Sequence, residues 1–138
     1  MKKILAGTVV FAVLVLIPVL LFAQSKDKVI AYYFHTTFRC PSCYKIEQYT
    51  EGAIKEYFEK EIESGNLVYE VINVEGKGSE HFVQDYQLYT KSVVLSFVKD
   101  GKEVKFKNLE QVWQLLRNKD KFYKYIKSEV EKYLGQLQ

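Results

Sequence analysis

Val29-Ile30-Ala31-Tyr32-Tyr33-Phe34-His35 runs through Thr36-Thr37-Phe38 into Arg39-Cys40-Pro41-Ser42-Cys43, and this stretch decides how the chain is read. Its first seven residues are largely β-branched and aromatic, the composition of a strand. Beyond Cys40 the apolar residues change to helical spacing, at Ile46, Tyr49, Ala53, Tyr57 and Phe58. The only two cysteines of the chain therefore lie where a strand passes into a helix N-terminus. Unpaired N–H groups and the positive end of the helix dipole favour thiolate at the first of them. That is redox chemistry rather than packing.

Outward from this junction, Ser64-Gly65-Asn66 ends the helix, and residues 67–74 read as a second strand. Gly52 is a local weakness within the helix, where a kink is expected. After the polar loop Glu75-Gly76-Lys77-Gly78, Ser79 is placed to cap a short helix reaching about Leu88. Residues 92–99 and 102–107 read as two strands joined at Asp100-Gly101, a strong hairpin signal. Asn108 with Gln111 has capping-box spacing, and Leu109, Val112, Trp113, Leu116, Phe122, Ile126, Val130 and Tyr133 continue at helical spacing. The order is β-α-β-α-β-β-α, an α/β class with a sheet apolar enough to be covered on both faces.

The N-terminus reads differently. Lys2 and Lys3 precede an almost unbroken apolar run over residues 4–23, followed by Gln24-Ser25-Lys26. Two readings stand: a secretory signal cleaved after Ala23, or a retained membrane anchor, since the run is about as long as a bilayer span. Both place one domain, residues 24–138, outside the cytoplasm, either periplasmic or anchored to the outer face of the cytoplasmic membrane. The formal net charge is +3, and without Lys2 and Lys3 it falls to +1. A nearly neutral domain gives no electrostatic case for nucleic acid as a partner. With 11 Tyr and 9 Phe, the chain can bury a core without disulfide staples. The thiol pair is then free to cycle.

The β-α-β-α-β-β-α order with Cys40-Pro41-Ser42-Cys43 at the first strand-to-helix junction resembles the thioredoxin-like fold. That resemblance implies a central mixed four-stranded sheet flanked by helices, over nearly all of residues 28–138. Within it, Cys40-Pro41-Ser42-Cys43-Tyr44-Lys45-Ile46-Glu47, residues 85–92 and Asn108-Leu109-Glu110 resemble small exported bacterial proteins of the ArsF type, known as nitrophenyl-compound nitroreductase subunits. The fold resemblance implies thiol–disulfide exchange with protein dithiols or disulfides. Cys40 would be the exposed nucleophile and Cys43 the resolving thiol. No organic cofactor is implied, because the cysteines carry the electrons. Two features depart from the family. No proline stands at Lys91-Ser92-Val93, and no acid lies among Ala31, Tyr32, Tyr33 and Phe34, so the proton acceptor for Cys43 is unassigned.

Each candidate has a plainer reading beside it. Cys40 and Cys43 also fit a static disulfide, although such a bridge closes too small a loop to constrain much chain. Arg39 is placed to stabilise the Cys40 thiolate by charge, or else to lie exposed on the loop. Pro41 suits the first helical turn and shapes the site. His35 is a proton acceptor for Cys43, a metal ligand or an ordinary strand-end histidine, and His81 reads as a surface residue. Tyr86, Leu88 and Tyr89 read as a docking rim or as core. Glu47, Glu51 and Lys55 read as a solvated ladder of i,i+4 pairs. No spacing motif supplies a closed metal site. Three function classes follow: a thiol–disulfide oxidoreductase or electron-transfer protein, a soft-metal or metalloid thiol-binding protein, and an accessory subunit of a membrane-bound reductase.

Overall fold

The computed structural model describes residues 26–137. The signal-or-anchor segment, residues 1–23, lies outside them. The chain forms β1 (Lys28–His35), α1 (Pro41–Tyr57), α2 (Glu59–Ser64), β2 (Leu67–Asn73) and α3 (Phe82–Asp85). It continues through β3 (Ser92–Lys99), β4 (Lys102–Asn108), a 3₁₀ turn (Glu110–Val112) and α4 (Lys119–Leu134).

The sheet has the order β2-β1-β3-β4. β1 is parallel to β2, with Val29 opposite Leu67 and His35 opposite Asn73, and α1 and α2 form the crossover between them. β3 runs antiparallel to both β1 and β4. A mixed four-stranded sheet in this order, flanked by helices, is a thioredoxin-like fold. At the β3–β4 hairpin Asp100 and Gly101 have φ of 51° and 77°, the left-handed pair a tight two-residue turn requires.

Alternation along β1 divides the core. Val29, Ala31 and Tyr33 face α1 and α4, where Ile46, Ala53, Ile54, Phe122, Ile126 and Val130 close over them. Burying each of the larger aliphatic or aromatic side chains contributes about 1.5–3 kcal/mol. Phe34 points to the opposite face and packs with Val74, Tyr86 and Val94 beneath the short α3 segment. Register then places the site: Phe34 pairs with Ser92, so the start of β3 lies beside the end of β1. Residues 36–43 and 88–91 are thereby gathered at one end of the sheet.

Three local expectations are corrected. The helix after Cys43 breaks at Phe58, not at Gly52: Phe58 leaves helical geometry (φ −131°, ψ 31°) with its ring buried. Gly52 stays helical, and the Tyr123 hydroxyl of α4 occupies the space that a Cβ there would need. α3 is only four residues long, and Ser79 does not cap it; the Ser79 N–H instead donates to the Gly76 carbonyl in a turn. Asn108 ends β4 opposite Val94 rather than opening a helix. Leu109 and Val112 are drawn into the core there, and the cap belongs to Asn118, whose side chain accepts the Lys121 N–H at 3.0 Å.

Candidate dithiol site

Cys40 is the N-cap residue of α1, in extended backbone geometry, with Pro41 in the first turn. A cap residue lends its side chain to the free N–H groups of the helix start. Here the Cys43 N–H donates to Cys40 Sγ at 3.2 Å. The Cys40 carbonyl accepts from Cys43 and Tyr44 at 2.9 and 3.2 Å. Pro41 loses nothing at a position whose N–H has no intrahelical partner. The two cysteines are joined as a disulfide, their Cα atoms 5.0 Å apart. Cys43 is fully buried, whereas Cys40 is partly exposed. One sulfur is thus open to attack and the other shielded behind it.

Tyr33 supports this turn from below. Its hydroxyl donates to the Cys43 carbonyl at 2.7 Å, tying β1 to the helix N-terminus. Burial raises the Tyr33 pKa, partly opposed by the nearby Arg39 guanidinium, so the phenol keeps its proton at neutral pH. The Arg39 guanidinium also lies over the Tyr44 ring, 4.4 Å from its centroid.

Arg39 is not an exposed loop residue. It forms an ion pair with Glu47 of α1, and the two side chains are only 16% and 23% exposed. Apart from each other, Arg39 Nε, its paired terminal nitrogen and Glu47 Oε2 find no hydrogen-bond partner among the described residues. The expected solvated ladder therefore splits. Glu51 and Lys55 do pair on the surface, but Glu47 turns inward. Sequence reading missed Glu47 and the role of Tyr33. The available signal was position: Glu47 is the first acid of α1 and stands one turn beyond Cys43.

His35 is half-buried, its Nδ1 2.9 Å from the Thr36 carbonyl and its ring stacked on Tyr33 at 5.9 Å. His81 lies on the surface and contacts Asp85 at 2.7 Å. The loop before the dithiol is fastened to the loop after β2, since the Thr37 N–H donates to Glu75 Oε2 at 2.8 Å. Hydrogen bonding from the Thr37 side chain and backbone lowers the Glu75 pKa. Just before β3 the Lys91 carbonyl accepts the Trp113 indole N–H at 3.0 Å, and no cis peptide occurs among the described residues. Of the three residues before β3, Tyr86 and Leu88 join the second core, while Tyr89 is 95% exposed. Phe38 and Tyr44, on either side of the dithiol, are exposed as well. An open cavity of about 310 Å³ lies at this end of the sheet, lined by His35, Thr36, Glu75, Leu88, Tyr89 and Thr90 among others. Among the described residues no group of three His, Cys, Asp or Glu side chains is gathered to hold a metal ion.

No family model and no curated protein matches the chain. Among solved structures, a thioredoxin from Fasciola hepatica is 21% identical, over 70% of this chain and 83% of that one, with a TM-score of 0.42. Thioredoxin O2 from Arabidopsis thaliana, in its oxidised state, is 14% identical over 70% and 76% of the two chains, also at 0.42. A poplar thioredoxin h is 19% identical over 75% and 77%, at 0.43. The fold assignment itself rests on the strand order and directions described above.

Proposed function

We propose that this chain is an exported thiol–disulfide oxidoreductase whose Cys40–Cys43 couple exchanges electrons with protein dithiols or disulfides. The observation that carries the reading is the asymmetry of the pair. Cys40 is accessible at a helix N-cap and receives the Cys43 N–H, while Cys43 is buried behind it. A Cys40 thiolate held there attacks a partner disulfide sulfur, forming a mixed disulfide and releasing one partner thiolate. Cys43 then attacks Cys40, closing the internal disulfide and releasing the second thiolate. The reverse sequence oxidises a partner dithiol. A disulfide serving only stability has no need of this division between exposed and shielded sulfur.

Export, with residence in the periplasm or on an anchor, rests on the basic and apolar residues 1–23 of the sequence. A membrane reductase partner and placement with the ArsF-type proteins rest on sequence resemblance alone. Soft-ion binding is the competing outcome, with Cys40 and Cys43 as the thiolate ligands. Insulin reduction with dithiothreitol as electron source decides between them. Catalysed precipitation that is lost in Cys40→Ser, with a trapped mixed disulfide in Cys43→Ser, supports exchange. No catalysis together with stoichiometric Cu⁺ binding by the reduced protein overturns it.

A further inference from the structure

The thioredoxin-like family's buried acid is absent from β1, where Ala31 and Tyr33 face α1, so the proton that Cys43 must lose needs another destination. Cys43 and Glu47 are four residues apart on α1, on one side of the helix, a spacing that brings Cβ atoms within about 5–6 Å. Ile46 and Thr50, which flank Glu47 on that side, are fully buried. Glu47 is thus an acid at the edge of the core, and its ion pair with Arg39 crosses back to the residue preceding Cys40.

The other titratable groups here are poorer acceptors. Tyr33 already donates its proton to the Cys43 carbonyl, and burial holds it neutral. Tyr69 has a buried hydroxyl with no hydrogen-bond partner, and burial raises its pKa strongly. Tyr44 has its ring under the Arg39 guanidinium. Glu51 is paired at the surface with Lys55. His35 has one ring nitrogen against the Thr36 carbonyl and stands on the strand rather than on the cysteine helix.

We infer that Glu47 is the proton acceptor for Cys43 in the resolving step and that its pairing with Arg39 couples proton transfer to thiolate release; this rests on the exchange reading above. The Cys43 sulfur attacks Cys40 Sγ of the mixed disulfide, and its proton passes to the Glu47 carboxylate. The Cys40–Cys43 bond forms, the bond from Cys40 to the partner sulfur breaks, and the partner leaves as thiolate with the electron pair. The dithiol is oxidised by two electrons and the partner disulfide is reduced. Protonation of Glu47 frees the charge of Arg39, the residue that precedes Cys40, from its counter-ion as the negative thiolate departs.

The test uses reduced full-length protein and oxidised glutathione. Samples are quenched in acid over time, and the glutathionylated intermediate is followed by mass. Glu47→Gln keeps an oxygen for Arg39 but cannot accept a proton. With the Arg39 charge left without its counter-ion, glutathionylation of Cys40 is expected to be no slower, while collapse of the mixed disulfide slows at least tenfold near neutral pH. The rate should recover as pH rises, and Glu47→Asp should restore part of it. In Arg39→Gln the acid limb of the collapse profile should move towards neutral pH, a readout that survives if Glu47→Gln fails to fold. Collapse at the unaltered rate and pH dependence in these variants, or a loss confined to His35→Asn, overturns the proposal. If the unaltered protein forms no mixed disulfide, the exchange reading fails instead.

Discussion

Tyr33 has one hydroxyl, and where its proton goes shapes the dithiol. The side chain lies in the core between β1 and α1, and its O–H spans 2.7 Å to the Cys43 carbonyl. A buried hydrogen bond of this kind contributes about 1 kcal/mol net, and more is lost when its partner is left unsatisfied. Tyr33→Phe keeps the ring packing and removes only that bond. We expect a loss of about 1 kcal/mol in urea denaturation, together with looser positioning of Cys43. An unchanged midpoint would show that the bond contributes nothing. Glu47 teaches a related lesson about what a sequence displays. Its i,i+4 neighbour Glu51 and the following Lys55 read as a surface ladder, and they are one. Whether Glu47 joins them depends on where Arg39 lies, and that is a tertiary fact.

At the scale of elements, Gly52 separates propensity from packing. In an isolated helix, Ala in its place is favoured by about 1 kcal/mol. In α1 the missing Cβ admits the Tyr123 hydroxyl from α4, and the two helices approach closely at this point. Gly52→Ala is therefore expected to lower the melting temperature, whereas in a Tyr123→Ala background the same change should raise it. Identical effects in both backgrounds would mean that packing against Tyr123 is not the cause. The elements that were legible were those whose local signals and tertiary environment agree. β1 and β3 and the Asp100-Gly101 hairpin follow from β-branched runs and turn chemistry, and the dithiol follows from the strand-to-helix junction. Capping signals misled where burial won. Asn108 has an N-cap's spacing, yet Leu109 beyond it is fully buried and its N–H donates to the Val93 carbonyl. At the break after α1, Phe58 likewise combines a buried ring with non-helical backbone, which no local signal announces.

For the whole molecule, two carboxylates link distant parts of the chain and set its response to acid. Glu129 of α4 is buried, which on its own raises its pKa, but hydrogen bonds from Lys107 and Lys132 outweigh that and leave it lowered. Lys107 lies on β4, so this pair fastens the last helix to the sheet edge at 2.6 Å. Glu75 is also lowered, by its hydrogen bonds from Thr37. A carboxylate whose folded pKa lies below its unfolded value stabilises the fold fully above the unfolded value. That stability is lost as pH falls through the folded one. Urea midpoints should therefore hold from neutral pH down to about 4.5 and decline below it, with a shallower decline in Lys107→Met. A decline beginning near neutral pH would contradict this assignment. The same construction brings residues 36–43 and 88–91 together at one sheet end, leaving one sulfur open and one shielded. The most direct test of that arrangement as a working couple is a redox titration of the protein in glutathione buffers, with acid quench, alkylation and mass readout. We predict one reversible two-electron transition in which Cys40 and Cys43 change state together, absent in Cys40→Ser. A disulfide that stays closed across the whole buffer range, or thiols that never pair, would contradict the account.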